Sequence, residues 1–260
     1  MTLLRYFKEV YLYKTFLLYF THSNFKGTYA NTRLGGLWGF IIPFTSTFSF
    51  TIIGIIYNAP DSVFNHFIFT LSGILPWTLF SKTFQNTNKI YLKNIRLIKR
   101  VRFPRIILIL SNLSINLFNF MIGLVVLVLL NSIKGPSVDF SILLIPILIL
   151  FATISSMGAG MLLIKPTIYF RDLTYIIGYL MPALMFASPV LYNSSNIPSK
   201  WIWIYSLNPL VGVIEGFRAV LNHTQIPWEY IINGGIVSFI IFFLGLLVFI
   251  KDEYKMNDYL

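Results

Sequence analysis

Six long apolar stretches run through this chain, at residues 34–57, 63–81, 104–130, 140–164, 173–192 and 229–250. Each holds about 20 residues or more, enough to cross a hydrocarbon core of ~30 Å at ~1.5 Å per residue. Lipid offers no hydrogen bonds, so a crossing segment must be a helix or a strand of a closed barrel. Runs this long, rich in Leu, Ile and Phe, read as helices and not as the alternating ~10-residue strands of a barrel. The expected fold is an all-α integral membrane protein with six transmembrane helices, forming one transmembrane domain over residues 1–260. Only 11% of the residues are charged and 56% are hydrophobic, which excludes an ordinary soluble domain.

The net charge of +11 would fit a nucleic-acid binder, but its placement does not. With both termini cytoplasmic, the inside carries Arg5, Lys8, Lys14, Lys26 and Arg33, the cluster from Lys82 to Arg105, then Lys165, Arg171, Lys251 and Lys255. Only Lys134, Lys200 and Arg218 fall outside. This is the positive-inside pattern, and it fixes the expected orientation. No nucleic-acid partner is expected. The chain has no cysteine, so disulfide and thiol chemistry are excluded.

Between the spans the sequence predicts three further elements. Within the N-terminal interface region, residues 1–33, residues 3–20 read as an amphipathic helix on the cytoplasmic membrane surface, with Leu3, Phe7, Val10 and Leu17 at helical spacing. A short segment dipping into the membrane is the alternative. Residues 82–103 form a polar connection in which Lys89, Lys93, Arg96 and Arg100 recur on one helical face. That stripe suits anionic headgroups or docking of a soluble partner, and charge alone does not choose. Residues 193–228 hold Trp201, Trp203, Asn208, Glu215 and Arg218; the run Leu210–Leu221 is too short to span and reads as outer re-entrant helix.

Within the spans, Asn112, Asn116 and Asn119 share a face, either as interhelical glue or as a polar lining. Ala152, Ser156 and Gly160 form a small-residue ladder for close packing. Tyr175, Tyr179 and Phe186 share a face, either as ordinary lipid or core aromatics or as a stacking surface for sugar rings. The spans hold no Asp or Glu beyond Glu229 at the start of the last, which argues against a proton-coupled pump. The three histidines are scattered, and no metal site is predicted. The chain contains neither G-x-S-x-G nor a P-loop motif, so any ATP-derived work must enter through a partner.

Three stretches carry a family resemblance. Residues Thr28 to Trp38, with Pro43, resemble the "RY-x-x-[ST]-x-LG-x-LW-x-x-x-x-P" opening of type-2 ABC exporter permeases, with Thr28-Tyr29 where the family has Arg-Tyr. Leu75-Pro76-Trp77 through Ser81, then Asn94, Leu97-Ile98-Lys99 and Phe103-Pro104-Arg105, resemble that family's second span and coupling helix. Tyr169-Phe170-Arg171-Asp172, Ser188-Pro189-Val190-Leu191-Tyr192, Ile197-Pro198 and Leu207-Asn208-Pro209-Leu210 resemble its C-terminal half. The match runs in order over nearly the whole chain and points to the branch that exports polysaccharides on lipid carriers.

The resemblance implies a homodimer, two copies of a cytoplasmic ATPase subunit that holds ATP and Mg, and a substrate of lipid-linked glycan such as O-antigen on a polyprenyl diphosphate. No cofactor belongs to this chain itself. The expected location is the bacterial plasma membrane, the inner membrane where there are two. It also implies docking of the ATPase on the helix with Lys89, Lys93, Arg96 and Arg100, and closure of the exit by the Trp201–Leu221 segment. Arg33, with Arg102 and Arg105 behind it, is the expected entrance for the carrier diphosphate, since a buried phosphate needs a cation. Tyr175, Tyr179 and Phe186 are the expected glycan path. The same fold exporting teichoic acid, capsule, a drug or a small lipid is the main alternative, and an integral membrane transferase a weaker one.

Overall fold

The computed structural model describes residues 3–30, 32–56, 62–133, 140–253 and 256. The link Asn58–Asp61 between the first two expected spans, which reads as a short outer turn, lies outside them together with Asn31, Lys134 and Lys255. Among the described residues all regular structure is helical. The α-helices are α1 (Leu3–Leu12), α2 (Lys14–Tyr29), α3 (Trp38–Ile56), α4 (Val63–Asn88), α5 (Ile90–Lys93), α6 (Ile95–Arg100) and α7 (Ile106–Ser132). They continue with α8 (Ile145–Tyr169), α9 (Leu173–Phe186), α10 (Ile202–Ser206), α11 (Pro209–Asn222) and α12 (Trp228–Asp252).

Five helical segments are long and apolar enough to cross a bilayer: Gly35–Ile56, Val63–Asn88, Ile106–Ser132, Phe140–Tyr169 and Trp228–Asp252. They match five of the six predicted spans. The expected span 173–192 is different. Its helix, α9, stops at Phe186 and gives way to turns. Fourteen residues rise about 21 Å, short of a ~30 Å core. The second span also departs from its expected end, since α4 runs on without a break past residue 81 to Asn88. Thr83, Phe84, Thr87 and Asn88 are buried there, so tertiary packing extends a helix that polarity alone would end.

The N-terminal amphipathic segment is two helices broken at Tyr13, not one. α2 lies along α7, where Asn24 donates to the Ser111 hydroxyl at 2.8 Å and the Tyr29 hydroxyl donates to Asn119 Oδ1 at 2.6 Å. Of the asparagine ladder on α7, Asn116 ties α4 through Thr83 at 3.1 Å, and Asn112 bonds back to its own helix at Leu108. The ladder thus acts mainly as glue between helices.

α4 and α8 occupy the middle of the bundle. The small-residue ladder of α8 is buried, with Gly160 set against Thr87 and Phe84 of α4. The tighter approach is on another face. A Cβ on Gly158 would sit 2.5 Å from the Phe242 Cα, and one on Gly245 would sit 2.3 Å from the Gly158 carbonyl oxygen. α8 and α12 therefore meet backbone to backbone, which maximises dispersion contact where lipid gives no hydrophobic drive.

This contact predicts that Gly245→Ala lowers the stability of the detergent-solubilised protein by about 1–3 kcal/mol, because backbone must move to admit the methyl. Gly27→Ala, at a helical site with open space around it, should be neutral or stabilising. Thermal unfolding of the two variants followed by tryptophan fluorescence checks both.

Candidate functional site

The chain gathers its chemistry at the two ends of the bundle. At the basic end, the predicted helix 89–100 is two short helices, α5 and α6, hinged at Asn94 with φ −118° and ψ 21°. The Asn94 amide donates to the Ile90 carbonyl at 2.8 Å, a local bond that competes with helix continuation. The single stripe is corrected accordingly. Lys93, Arg96 and Arg100 are exposed and Lys89 is half-buried. Lys99 joins the exposed face, while Ile90, Tyr91 and Ile98 anchor the opposite one. Lys93 donates to Asn86 Oδ1 at 2.8 Å. Partial desolvation of the ammonium, then the neighbouring Lys89, hold Lys93 below the usual lysine range although its side chain is exposed.

Beneath these helices lies a buried polar knot that the sequence did not announce. Glu253, 1% exposed, accepts the Arg105 backbone N–H through Oε1, and its own carbonyl accepts the Tyr91 hydroxyl at 3.3 Å. Burial raises the Glu253 carboxyl above the usual carboxylate range, and the Arg105 N–H opposes that rise. The fully buried Tyr6 phenol of α1 is pushed well up, by burial first and then by Glu253 beside it. The Arg105 guanidinium donates to the carbonyls of Phe103 at 2.6 Å, Val101 at 3.3 Å and Ile98 at 3.3 Å. It closes the C-terminal end of α6, where orphan carbonyls need donors. Arg105 was expected at an anion entrance; it is instead buried and engaged with these carbonyls. Arg33 and Arg102 are exposed. Next to the knot, Lys165 of α8 pairs with Asp252 of α12 at 2.8 Å.

On α9, the expected aromatic face stands free of the rest of the chain. Tyr175 is 69%, Tyr179 84% and Phe186 59% exposed, while Ile177 and Met181 on the other side are buried. Exposure here means only that no protein covers the rings.

At the opposite end, Trp201 and Trp203 are exposed. Asn208 caps α11 by accepting the Leu210 N–H at 3.1 Å, with Pro209 at the first helical position, and its amide donates to the Ser188 hydroxyl at 3.0 Å. α11 lies among α4, α8 and α12 with most of its residues buried. Arg218, placed by charge counting among exposed outer cations, is 5% exposed. Its guanidinium pairs with Glu215 at 3.3 Å and stacks over Phe69 of α4 at 3.6 Å. It also donates to the carbonyls of Val190 at 2.8 Å and Tyr192 at 3.1 Å. Glu215 in turn accepts the Ser194 N–H at 3.2 Å. Gly73 of α4 admits this cluster, since a Cβ there would lie 2.6 Å from the Val190 carbonyl oxygen. α9 can stop short because Arg218 takes up the carbonyls beyond its end. The Glu215/Arg218 spacing was visible in the sequence; its depth was not.

Among the described residues no group of His, Cys, Asp or Glu could hold a metal ion. The architecture defines a class: a multi-pass helical membrane protein with a hinged basic element at one end and a charged pair buried at the other. The model of the ABC-2 type transporter family matches residues 15–222. The chain belongs to that family of transport permeases, and with its five span-length helices it is a multi-pass protein of the bacterial inner membrane. It is 27% identical, over 94% of both chains, to an O-antigen export system permease protein of Klebsiella pneumoniae. It is also 27% identical to one of Myxococcus xanthus, over 86% of this chain and 87% of that one.

The Arg218 cluster yields a stability prediction. Arg218→Met should cost about 3–5 kcal/mol, because Glu215 is left as an unpaired buried charge. The double variant Glu215→Gln with Arg218→Met should recover part of that loss. A double-mutant cycle on thermal unfolding in detergent measures the coupling.

Proposed function

We propose that this chain is the membrane permease subunit of an ATP-driven exporter that moves a lipid-linked, O-antigen-type polysaccharide outward. The relatives named as O-antigen export permeases cover almost the whole chain and support the reading. The observation that carries the glycan assignment is the uncovered aromatic face of α9. Aromatic planes stack on sugar C–H faces and tolerate many registers, which suits a sliding polymer better than fixed hydrogen bonds do. Two copies of the chain would set these faces around a shared path on a two-fold axis.

In this reading both termini and the α5–α6 element are cytoplasmic, in line with the positive-inside pattern. α9 with the embedded α10–α11 segment completes the sixth pass. A separate ATPase subunit, one per permease, binds and hydrolyses ATP with Mg and docks on the face of Lys93, Arg96, Lys99 and Arg100, with Lys89 at its edge. Arg33 and Arg102 attract the carrier diphosphate. The segment with Trp201, Trp203 and Asn208, held by Glu215 and Arg218, closes the outer end. ATP-driven movement of the docked subunits would bias the helices between two arrangements, with α5–α6 as the lever.

Docking is tested by charge reversal. Arg96→Glu with Arg100→Glu should release the ATPase from the permease in a pull-down from detergent, and the release should be mimicked in part by high salt. Full retention of the ATPase would place docking elsewhere. The path is tested by export. Tyr179→Ala with Phe186→Ala should lower surface glycan roughly tenfold in complemented cells, as expected for two lost stacking contacts. The protein should remain assembled with its ATPase. Unchanged export would mean that the rings face lipid and would withdraw the glycan assignment.

A further inference from the structure

α9 is seated unevenly on the bundle. Ile177 and Met181 are buried, and so is Ser188 just beyond the helix end. Leu184 follows Ile177 by seven residues, which puts it on the same side of the helix at ~3.6 residues per turn. Yet Leu184 is 45% exposed where Ile177 is 4% exposed. It borders a crevice of about 280 Å³ between α4, α8, α9, α12 and the start of α11. Trp77, Ser155 and Leu210 form its buried floor, and Leu184 and Ala187 its exposed rim. The volume is roughly twice that of the ~150 Å³ apolar cavity that takes up benzene.

Depth and lining decide what belongs there. Trp77 lies near the midpoint of α4, Ser155 near that of α8 and Ile241 near that of α12. The crevice is therefore near the centre of the membrane, about 15 Å from either edge of a ~30 Å core. Headgroups do not reach that depth from the bilayer side, but hydrocarbon does. Among the described residues no charged side chain lines the crevice. Its serines and asparagine are engaged with the protein. Ser155 donates to the Ala152 carbonyl at 3.1 Å. Ser188 donates to the Leu184 carbonyl at 3.3 Å and accepts the Asn208 amide at 3.0 Å. What is left to satisfy is apolar wall, and an unfilled void forfeits its dispersion contacts.

We propose that this crevice holds the acyl-chain end of a membrane phospholipid, which packs under α9 and completes its seat on the bundle. Leu184 comes nine residues after Tyr175, half a turn round the helix, so the crevice opens on the side of α9 away from its aromatic face. A second copy that shares a path with the aromatic face leaves this side to the bilayer; that choice of occupant rests on the exporter reading above. Leu244, one turn from Ile241 on α12, is exposed and apolar, so a lipid-facing surface runs into the rim. The hydrocarbon tail of a carrier lipid shares the chemistry. Acyl chains, however, are the solvent at this depth and fill an open crevice by mass action.

Trp77 makes the test direct, because the other tryptophans, Trp38, Trp201, Trp203 and Trp228, lie toward the ends of the bundle. The full-length permease is reconstituted in phosphatidylcholine vesicles whose acyl chains carry bromine near the terminal methyl, and its fluorescence is compared with that in unbrominated vesicles. The Trp77 emission is the difference between the wild type and Trp77→Phe. It should fall at least about twofold in brominated lipid, because bromine quenches an indole on contact, within about 4 Å, although protein buries this ring. Ala159→Phe fills the crevice from α8 and should abolish the loss. Ala187→Phe plugs it from the exposed rim, where added bulk does not strain the core, and decides the matter if Ala159→Phe fails to fold. Unquenched Trp77 emission in the wild type overturns the proposal and gives the crevice to a second copy of the chain. Quenching undiminished in both filled variants shows that lipid reaches Trp77 by another route, and overturns it too. Recovery of emission on adding unbrominated polyprenyl phosphate, in an amount too small to dilute the brominated lipid, assigns the crevice to the carrier tail and also overturns it. None of these outcomes bears on the exporter reading, which surface glycan measures separately.

Discussion

A peptide carbonyl in hydrocarbon must find a donor, and the far end of this molecule is arranged around that requirement. α9 ends within the bundle, so the carbonyls of Val190 and Tyr192 have no helical partner. One guanidinium takes both. Its own charge is then balanced by Glu215 and by the face of Phe69. The pair is costly to desolvate, and it does not by itself argue for high stability. What it supplies is position, since α9, α11 and the turn between them share one set of hydrogen bonds. Gly73 is part of the same solution because only a residue without a side chain lets α4 approach the turn.

The spans were legible because hydrocarbon imposes a length on any helix that crosses it. Five were readable on that ground alone, although the helices of the second and fourth run on past their expected ends. The exception, 173–192, shows the limit of the method. Hydropathy measures whether a segment tolerates lipid, not whether its helix persists, and it saw no difference between α9 and the turns at 187–192. The candidate site was legible in part for the same reason. Tyr175, Tyr179 and Phe186 form one face because periodicity alone determines it. Asn94 breaks the basic stripe through a side-chain bond to its own backbone, which periodicity does not register. Arg105, Arg218 and Glu253 look like ordinary terminal or loop charges in the sequence. Their burial arises from partners about 148 residues away in one case and 28 in another, and no local pattern encodes those.

Two of the surfaces that the chain leaves uncovered differ in kind. The α9 face is aromatic, and the outer face of α5–α6 is cationic. A hydrocarbon environment could cover the first but not the second. The cationic face is backed by a firm floor, because Ile90, Tyr91 and Ile98 pack with Phe249, Met161 and Ile164 of the long helices. Anything that pushes on the exposed side pushes directly on the ends of α8 and α12. These two helices meet through Gly158 and Gly245, so a displacement at the basic end carries along both together.

Tyr6 and Glu253 lie near opposite ends of the described chain, and they meet in the same buried knot. That has a consequence for biosynthesis. Helices enter the membrane in the order in which they are made, so α1, α5 and α6 emerge long before the residue that closes the cluster beneath them. Until α12 is in place, Arg105 lacks the acceptor for its backbone N–H and Tyr91 lacks the acceptor for its hydroxyl. The basic end of a partly synthesised chain is thus an unfinished surface. The end of α12 acts as a keystone, and the basic surface that rests on it is complete only once that helix is in place.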